Sequence, residues 1–245
     1  MRAKQWDKIA PDYYQYIVSP FNKGVKNPIF RLMKKIKRRR TVLEVGCGTG
    51  TLIPFLAKNF EQVTAIDFSK KMIDIAEAKY GKLGNVEFVR MDALNISRLH
   101  KKFDLVVSVN SVLMPDIIKV NKILKRMHHV LAPRGHLVGI FPAMDALVFE
   151  AMVTYDSEYE KQRDRAKARR ATNKVIDRRF HDFCYGYLYA SKPEETQKHF
   201  FGFELMYRLK KAGFRDVKMF KVLYPWEKPT KLHDKVWDWG VSARA

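Results

Sequence analysis

Between residues 41 and 141 the chain switches repeatedly between short apolar runs and segments with helical spacing. Thr41–Val45, Gln62–Ile66 and Val86–Arg90 read as strands, and Thr51–Asn59 and Ser69–Tyr80 as the helices between them. Ser69–Tyr80 places Met72, Ile73 and Ala76 on one face. Phe103–Val109 is almost wholly apolar, as a strand covered on both faces must be. Ile117–Leu131 repeats apolar residues at helical spacing, Ala132-Pro133-Arg134-Gly135 breaks it, and His136–Phe141 is a fifth strand. Strands alternating with helices predict βαβ units and a parallel sheet.

The flanks follow other rhythms. Residues 1–40 predict two helices separated near Ser19-Pro20 and Asn27-Pro28. Residues 142–199 form an insertion of helical character, with strand-like alternation only at Cys184–Ala190. Phe203–Ala212 is a helix stopped by Gly213, and Asp216–Tyr224 and Lys235–Ala243 are two closing strands. No repeat or low-complexity linker divides the chain, so 1–245 is expected to be one domain. Its parts are a helical cap (1–40), a core (41–141), an insertion or lid (142–199) and a closing segment (200–245).

Composition changes this picture in two ways. No apolar stretch approaches the roughly 20 residues of a membrane span, and no signal-peptide core follows Met1, so a cytoplasmic location is expected. With only Cys47 and Cys184, a disulfide framework or cysteine-rich metal site is not expected. The second change is charge: 47 Lys+Arg against 26 Asp+Glu give +21. Two basic segments, 31–40 and 161–179, could track a phosphate backbone or could be solvated helix faces.

The chemistry concentrates at strand ends. The first strand runs into Glu44-Val45-Gly46-Cys47-Gly48-Thr49-Gly50, where glycines permit positive φ and close approach of a ligand. A dinucleotide fingerprint wants a glycine where Thr51 stands, and the acid Glu44 would repel a pyrophosphate. The same acid suits the ammonium of a methionine moiety, so the pattern favours S-adenosylmethionine. Asp67 ends the second strand, where an acid can accept from ribose hydroxyls. Asp92 and Ala93 follow the third strand, offering a carboxylate and an N–H to an adenine edge.

On these residues the core from Thr41 to Phe141 resembles the class I methyltransferases of the type 11 group, which includes the quinone-biosynthesis methyltransferases. Val42 to Gly50 matches that family's first motif throughout. The resemblance implies a Rossmann-like, doubly wound seven-stranded α/β sheet, mostly parallel with an antiparallel last strand. It implies that Glu44, Gly46, Cys47, Gly48 and Gly50 surround the methionine part, and that Asp67 holds the ribose. Asp92, Ala93, Phe68 and Met72 would then hold the adenine, and Asn110 would stand in the loop after the fourth strand. Ile9-Ala10-Pro11-Asp12-Tyr13-Tyr14 is similar to the family's N-terminal helix, whose tyrosine closes over the cofactor. Two departures stand out: Asn110-Ser111-Val112-Leu113-Met114-Pro115 lacks the family's histidines, and Arg134 replaces a turn glycine.

The expected reaction is methyl transfer to an O, N or C atom of a small molecule by in-line displacement. RNA methylation on the basic segments and a non-catalytic S-adenosylmethionine-binding scaffold are the alternatives. A general base is sought among Tyr13, Tyr14 and His181, with Asp182 and Tyr185 beside them. No metal is expected.

Overall fold

The computed structural model describes residues 3–12, 19–21, 25, 27–175, 181–188, 196–223 and 237–245. α1 (Ala3–Ile9) runs into a 3-10 turn, and α2 (Ile29–Lys34) precedes β1 (Thr41–Val45). Then come α3 (Ile53–Asn59), β2 (Gln62–Asp67), α4 (Lys70–Tyr80), β3 (Val86–Arg90) and a 3-10 helix, Ala93–Leu99. β4 (Phe103–Val109), α5 (Ile117–Val130) and β5 (Leu131–Phe141) complete the parallel half. The insertion holds α6 (Met144–Gln162), α7 (Arg165–Val175) and the two-residue strands β6 (His181–Asp182), β7 (Tyr187–Leu188) and β8 (Gln197–Lys198). α8 (Gly202–Lys211), β9 (Arg215–Leu223) and β10 (Trp237–Arg244) end the chain as described.

The seven-stranded sheet has the order β3-β2-β1-β4-β5-β10-β9, with β10 antiparallel to both neighbours. The strand order reverses between β1 and β4, and a doubly wound sheet opens its ligand crevice at the carboxyl ends of such a pair. Alternation along the strands divides the core. Leu43, Val45 and Val106 join the cluster under α5 and α8, while Val42, Leu105 and Val107 join the cluster under α2 and α3. All are within a percent of complete burial, each worth about 1.5–3 kcal/mol against exposure.

Three local outcomes differ from the pattern. α3 starts at Ile53 rather than Thr51: after Gly50 at φ +85° the chain makes a turn in which Ile53 N donates to Gly50 O (3.1 Å) before the helix begins. β5 starts at Leu131: Phe103 pairs with Leu131 and the register then slips, with Arg134 at φ +63° taking the glycine-like position. Between β6 and β7 a turn replaces the alternation expected from Cys184, because Asp182 Oδ1 accepts from Cys184 N (2.9 Å) and Tyr185 N (3.0 Å).

The basic run 31–40 is partly structural. Asp104, buried at the start of β4, accepts from Arg40 N (2.9 Å) and Thr41 N (3.3 Å) and pairs with Arg38 Nε (2.8 Å). Arg39 Nε donates to Ile36 O (2.7 Å). These contacts dock the chain at the entrance to β1.

Candidate active site

The turn after β1 is held from below by β2: Gly46 N and Cys47 N both donate to Ile66 O, at 2.8 and 2.9 Å. Gly46 has φ +74°, and a Cβ there would lie 2.3 Å from Ser111 Cβ in the β4–α5 loop. Only glycine lets that loop close against the turn. Gly50 has a different task, since its missing Cβ makes room for the Tyr80 ring, 2.9 Å from the ideal position.

Asp67 stitches the crevice together. Its Oδ2 accepts from Gly48 N (3.0 Å) and its Oδ1 from Ser69 N (2.9 Å). Burial pushes its carboxyl above the usual range, against the opposing pull of those backbone donors. Ser69 caps α4 by accepting from Met72 N (3.2 Å) and donates to Asp7 Oδ1 (2.5 Å). Asp7 also accepts from Lys71 N (3.1 Å), and the Ser69 hydroxyl is the main reason its carboxyl is held below the ordinary range. α1 is thereby pinned to the start of α4.

Glu44 is buried, and its Oε2 has no hydrogen-bond partner. Burial first, and the Asp67 charge second, push its carboxyl up to about 8. An isolated buried carboxylate is costly, so burial favours its protonated form.

These elements enclose a cavity of about 380 Å³. Gly46, Gly48, Asp67, Phe68, Met72, Asp92, Ala93 and Asn110, eight of the eleven expected cofactor residues, line it. Glu44, Cys47 and Gly50 do not. Cys47 turns into the core beside Leu52 and Ile53, where burial pushes its thiol well up. Asp92 caps the 3-10 helix by accepting from Leu94 N (2.7 Å).

Asn110 stands at φ +46°, its N–H on Ile140 O (2.9 Å) and its Nδ2 on Asp238 Oδ2 (3.0 Å). Asp238 Oδ1 accepts in turn from Ala143 N (3.3 Å), which joins β10, the insertion and the cavity wall. Trp6, Ser111 and Lys119 also line the cavity, and the sequence patterns did not single them out for it. Trp6 arrives through the Asp7 contact, a long-range event with no local signature. Ser111 Oγ lies 2.7 Å from Ser108 Oγ.

Of the expected bases, only Asp182 and Tyr185 have described side chains, and neither lines the cavity. Tyr13 and Tyr14 lie outside the described residues, and His181 is described only as a backbone partner of Leu188. Asp182 serves its turn, and Tyr185 is exposed. Among the described residues no cluster of His, Cys, Asp or Glu is disposed to hold a metal ion, and no helix is long and apolar enough to cross a membrane.

Residues 42–135 match a family model described as a methyltransferase domain. The chain is 32% identical over 129 residues to a demethylmenaquinone methyltransferase of Staphylococcus aureus, covering 50% of this chain and 52% of that protein. It is likewise 32% identical over 107 residues to the Staphylococcus epidermidis protein of that name, covering 42% and 43%. The chain thus spans about half the length of these relatives. Among solved structures, the N-methyltransferase NodS of Bradyrhizobium japonicum, bound to S-adenosyl-L-homocysteine, superposes with a TM-score of 0.64 at 15% identity, covering 99% of this chain and 97% of that one. A methyltransferase of Methanosarcina mazei gives 0.59 at 20% identity over 89% and 97%. Their shared feature with this chain is the Rossmann-like methyltransferase fold.

Proposed function

We propose that the chain, whose residues 42–135 match the methyltransferase domain model, is an S-adenosylmethionine-dependent enzyme that methylates an O, N or C atom of a small molecule. The observation that carries this reading is the buried, partnerless Glu44 oxygen beside Asp67, behind a turn of positive-φ glycines. A buried carboxyl in that state gains most from a cationic amino-acid tail, beside which it can ionise, whereas a pyrophosphate would hold it in its protonated form.

In this reading S-adenosylmethionine supplies a methyl group already activated by its sulfonium. The chain's own work is binding and alignment. Glu44, buried behind the cavity wall at Val45 and Gly46, would offer its carboxyl to the ammonium and would ionise beside that cation. Asp67 retains lone pairs beyond those facing Gly48 N and Ser69 N, and these accept from the ribose hydroxyls. Phe68 and Met72 cover the adenine, with Asp92 and the Ala93 N–H at its edge. Asn110, Ser111, Leu113, Met114 and Lys119 then face the acceptor. Holding two reactants in line contributes roughly 7–11 kcal/mol, so alignment is the main catalytic term. We also propose that 1–245 acts as one unit, in which 1–40 and 142–199 cover the crevice of 41–141.

Calorimetric titration with S-adenosylmethionine, using Asp67→Ala as control, tests the reading. Saturable binding that the variant loses is expected, and radiolabelled methyl transfer to a panel of acceptors then identifies the product. Preference for NADH over S-adenosylmethionine would overturn it.

A further inference from the structure

Six large apolar side chains are exposed among the described residues, and four of them lie on α5, α8 and the β6–β7 turn, elements tied to the cavity wall where Lys198 N donates to Leu113 O (2.7 Å). Ile118 (65% exposed) lies in the first turn of α5, beside Lys119 of the cavity wall. Phe203 (76%) and Tyr207 (59%) stand four residues apart on α8, on the side opposite buried Leu205 and Leu209. Tyr185 (64%) projects from the β6–β7 turn and stacks on Tyr187 at 6.0 Å.

Direct contacts join these elements. Arg208 Nη1 donates to Asn121 Oδ1 (3.0 Å), linking α8 to α5. Lys198 of β8 is wholly buried, pairs with Glu204 (2.7 Å) and lies over the Tyr187 ring at 5.9 Å, linking the hairpin to α8. α5, α8 and the hairpin thus form one packed base from which these side chains project.

The two helices are mostly basic, and Asp182 in the Tyr185 turn is engaged by Cys184 N and Tyr185 N. α5 and α8 together carry seven Lys and Arg residues, against only Asp116 at the start of α5 and Glu204. Both acids are already bridged, Asp116 to Lys119 (3.3 Å) and Glu204 to Lys198 and Arg208. Lys211 lies over the Tyr207 ring at 5.6 Å, which leaves the aromatic edge among cations. Aromatic and aliphatic side chains set among lysines suit the headgroup layer of an anionic bilayer, which takes apolar side chains and attracts cations together. A second copy of the chain suits it less, because a net charge of +21 repels its own kind.

We propose that these projecting side chains, the rim, dock on an anionic lipid surface and turn the crevice toward an acceptor held at the membrane. The docking stands on the rim itself; its use for methylation rests on the function proposed above.

Vesicle sedimentation of the full chain tests it, with phosphatidylcholine alone and with equal parts phosphatidylcholine and phosphatidylglycerol. The variants are Ile118→Ser/Phe203→Ser/Tyr207→Ser at the rim and Val148→Ser/Met152→Ser, exposed on α6, as control. Wild type should partition onto the mixed vesicles about tenfold or more better than onto phosphatidylcholine. The rim variant should lose about tenfold, and the control should stay within about twofold of wild type. Absent binding, equal binding to both vesicles, or a rim variant that binds like wild type overturns the proposal. So does light scattering that shows a wild-type dimer and a monomeric rim variant, which assigns the surface to a second copy. S-adenosylmethionine titration of the same samples reports separately on the methyltransferase reading.

Discussion

Replacing Glu44 with glutamine probes the most unusual electrostatic feature of the crevice. In the folded chain burial and the Asp67 charge raise the carboxyl from an ordinary 4.5 to about 8. The folded state therefore binds this proton more tightly than the unfolded state. Its stabilising effect is complete below about pH 4.5, declines as pH rises, and is lost beyond about pH 8. At about 1.36 kcal/mol per pH unit, that span amounts to roughly 5 kcal/mol. Glu44→Gln does not titrate, so melting curves of the two unliganded proteins should diverge from about pH 5 to about pH 9, with the variant gaining. Binding supplies the second readout. At about pH 7 a group titrating near 8 is about nine-tenths protonated, so taking up an ammonium should expel nearly one proton. Calorimetry in phosphate and in Tris, which differ in ionisation heat, measures that release. Glu44→Gln should release none and bind S-adenosylmethionine about 10- to 150-fold more weakly. Parallel pH–stability curves together with a buffer-independent binding enthalpy would refute the reasoning.

Asp67→Ala removes the acceptor for Gly48 N and Ser69 N as well as the proposed ribose contacts, so affinity for S-adenosylmethionine in a titration should fall about 100-fold or more. Gly46→Ala drives a Cβ into Ser111 at a φ of +74° and should cost about 2–4 kcal/mol in denaturant unfolding, with loss of cofactor binding. Asp238→Ala strips partners from Asn110 Nδ2 and Ala143 N; a loss of about 1–3 kcal/mol is expected, and in a transfer assay Asp238→Asn should recover stability better than kcat. His128 is held below its ordinary pKa first by burial, so the native state favours its neutral form; its contribution should be lost as pH falls through about 6.5, and His128→Gln should flatten the acid side of the stability profile.

Much of the architecture was legible because it is written in local periodicity. The five core strands, the helices between them and both closing strands lie within a few residues of where apolar spacing placed them. The glycine turn and the acids at the ends of β1 and β2 were legible for the same reason, since a strand end followed by a turn is a local event. The small sheet β6-β7-β8 was not, because strands of two residues carry no readable period. The basic run 31–40 fitted a phosphate track or a solvated helix face equally, and its docking on Asp104, more than 60 residues away, was not legible.

By itself, then, the sequence determined the order of the elements, the parallel core and which strand ends carry glycine and acid. Only the tertiary structure decided what those residues do. It left the Glu44 Oε2 buried without a hydrogen-bond partner, gave Gly46 to the cavity and Gly50 to Tyr80, and brought in Trp6, Lys119 and Asp238. The physical reason is that burial, desolvation and contact between distant segments depend on how layers pack, whereas periodicity depends only on a residue's near neighbours in the chain.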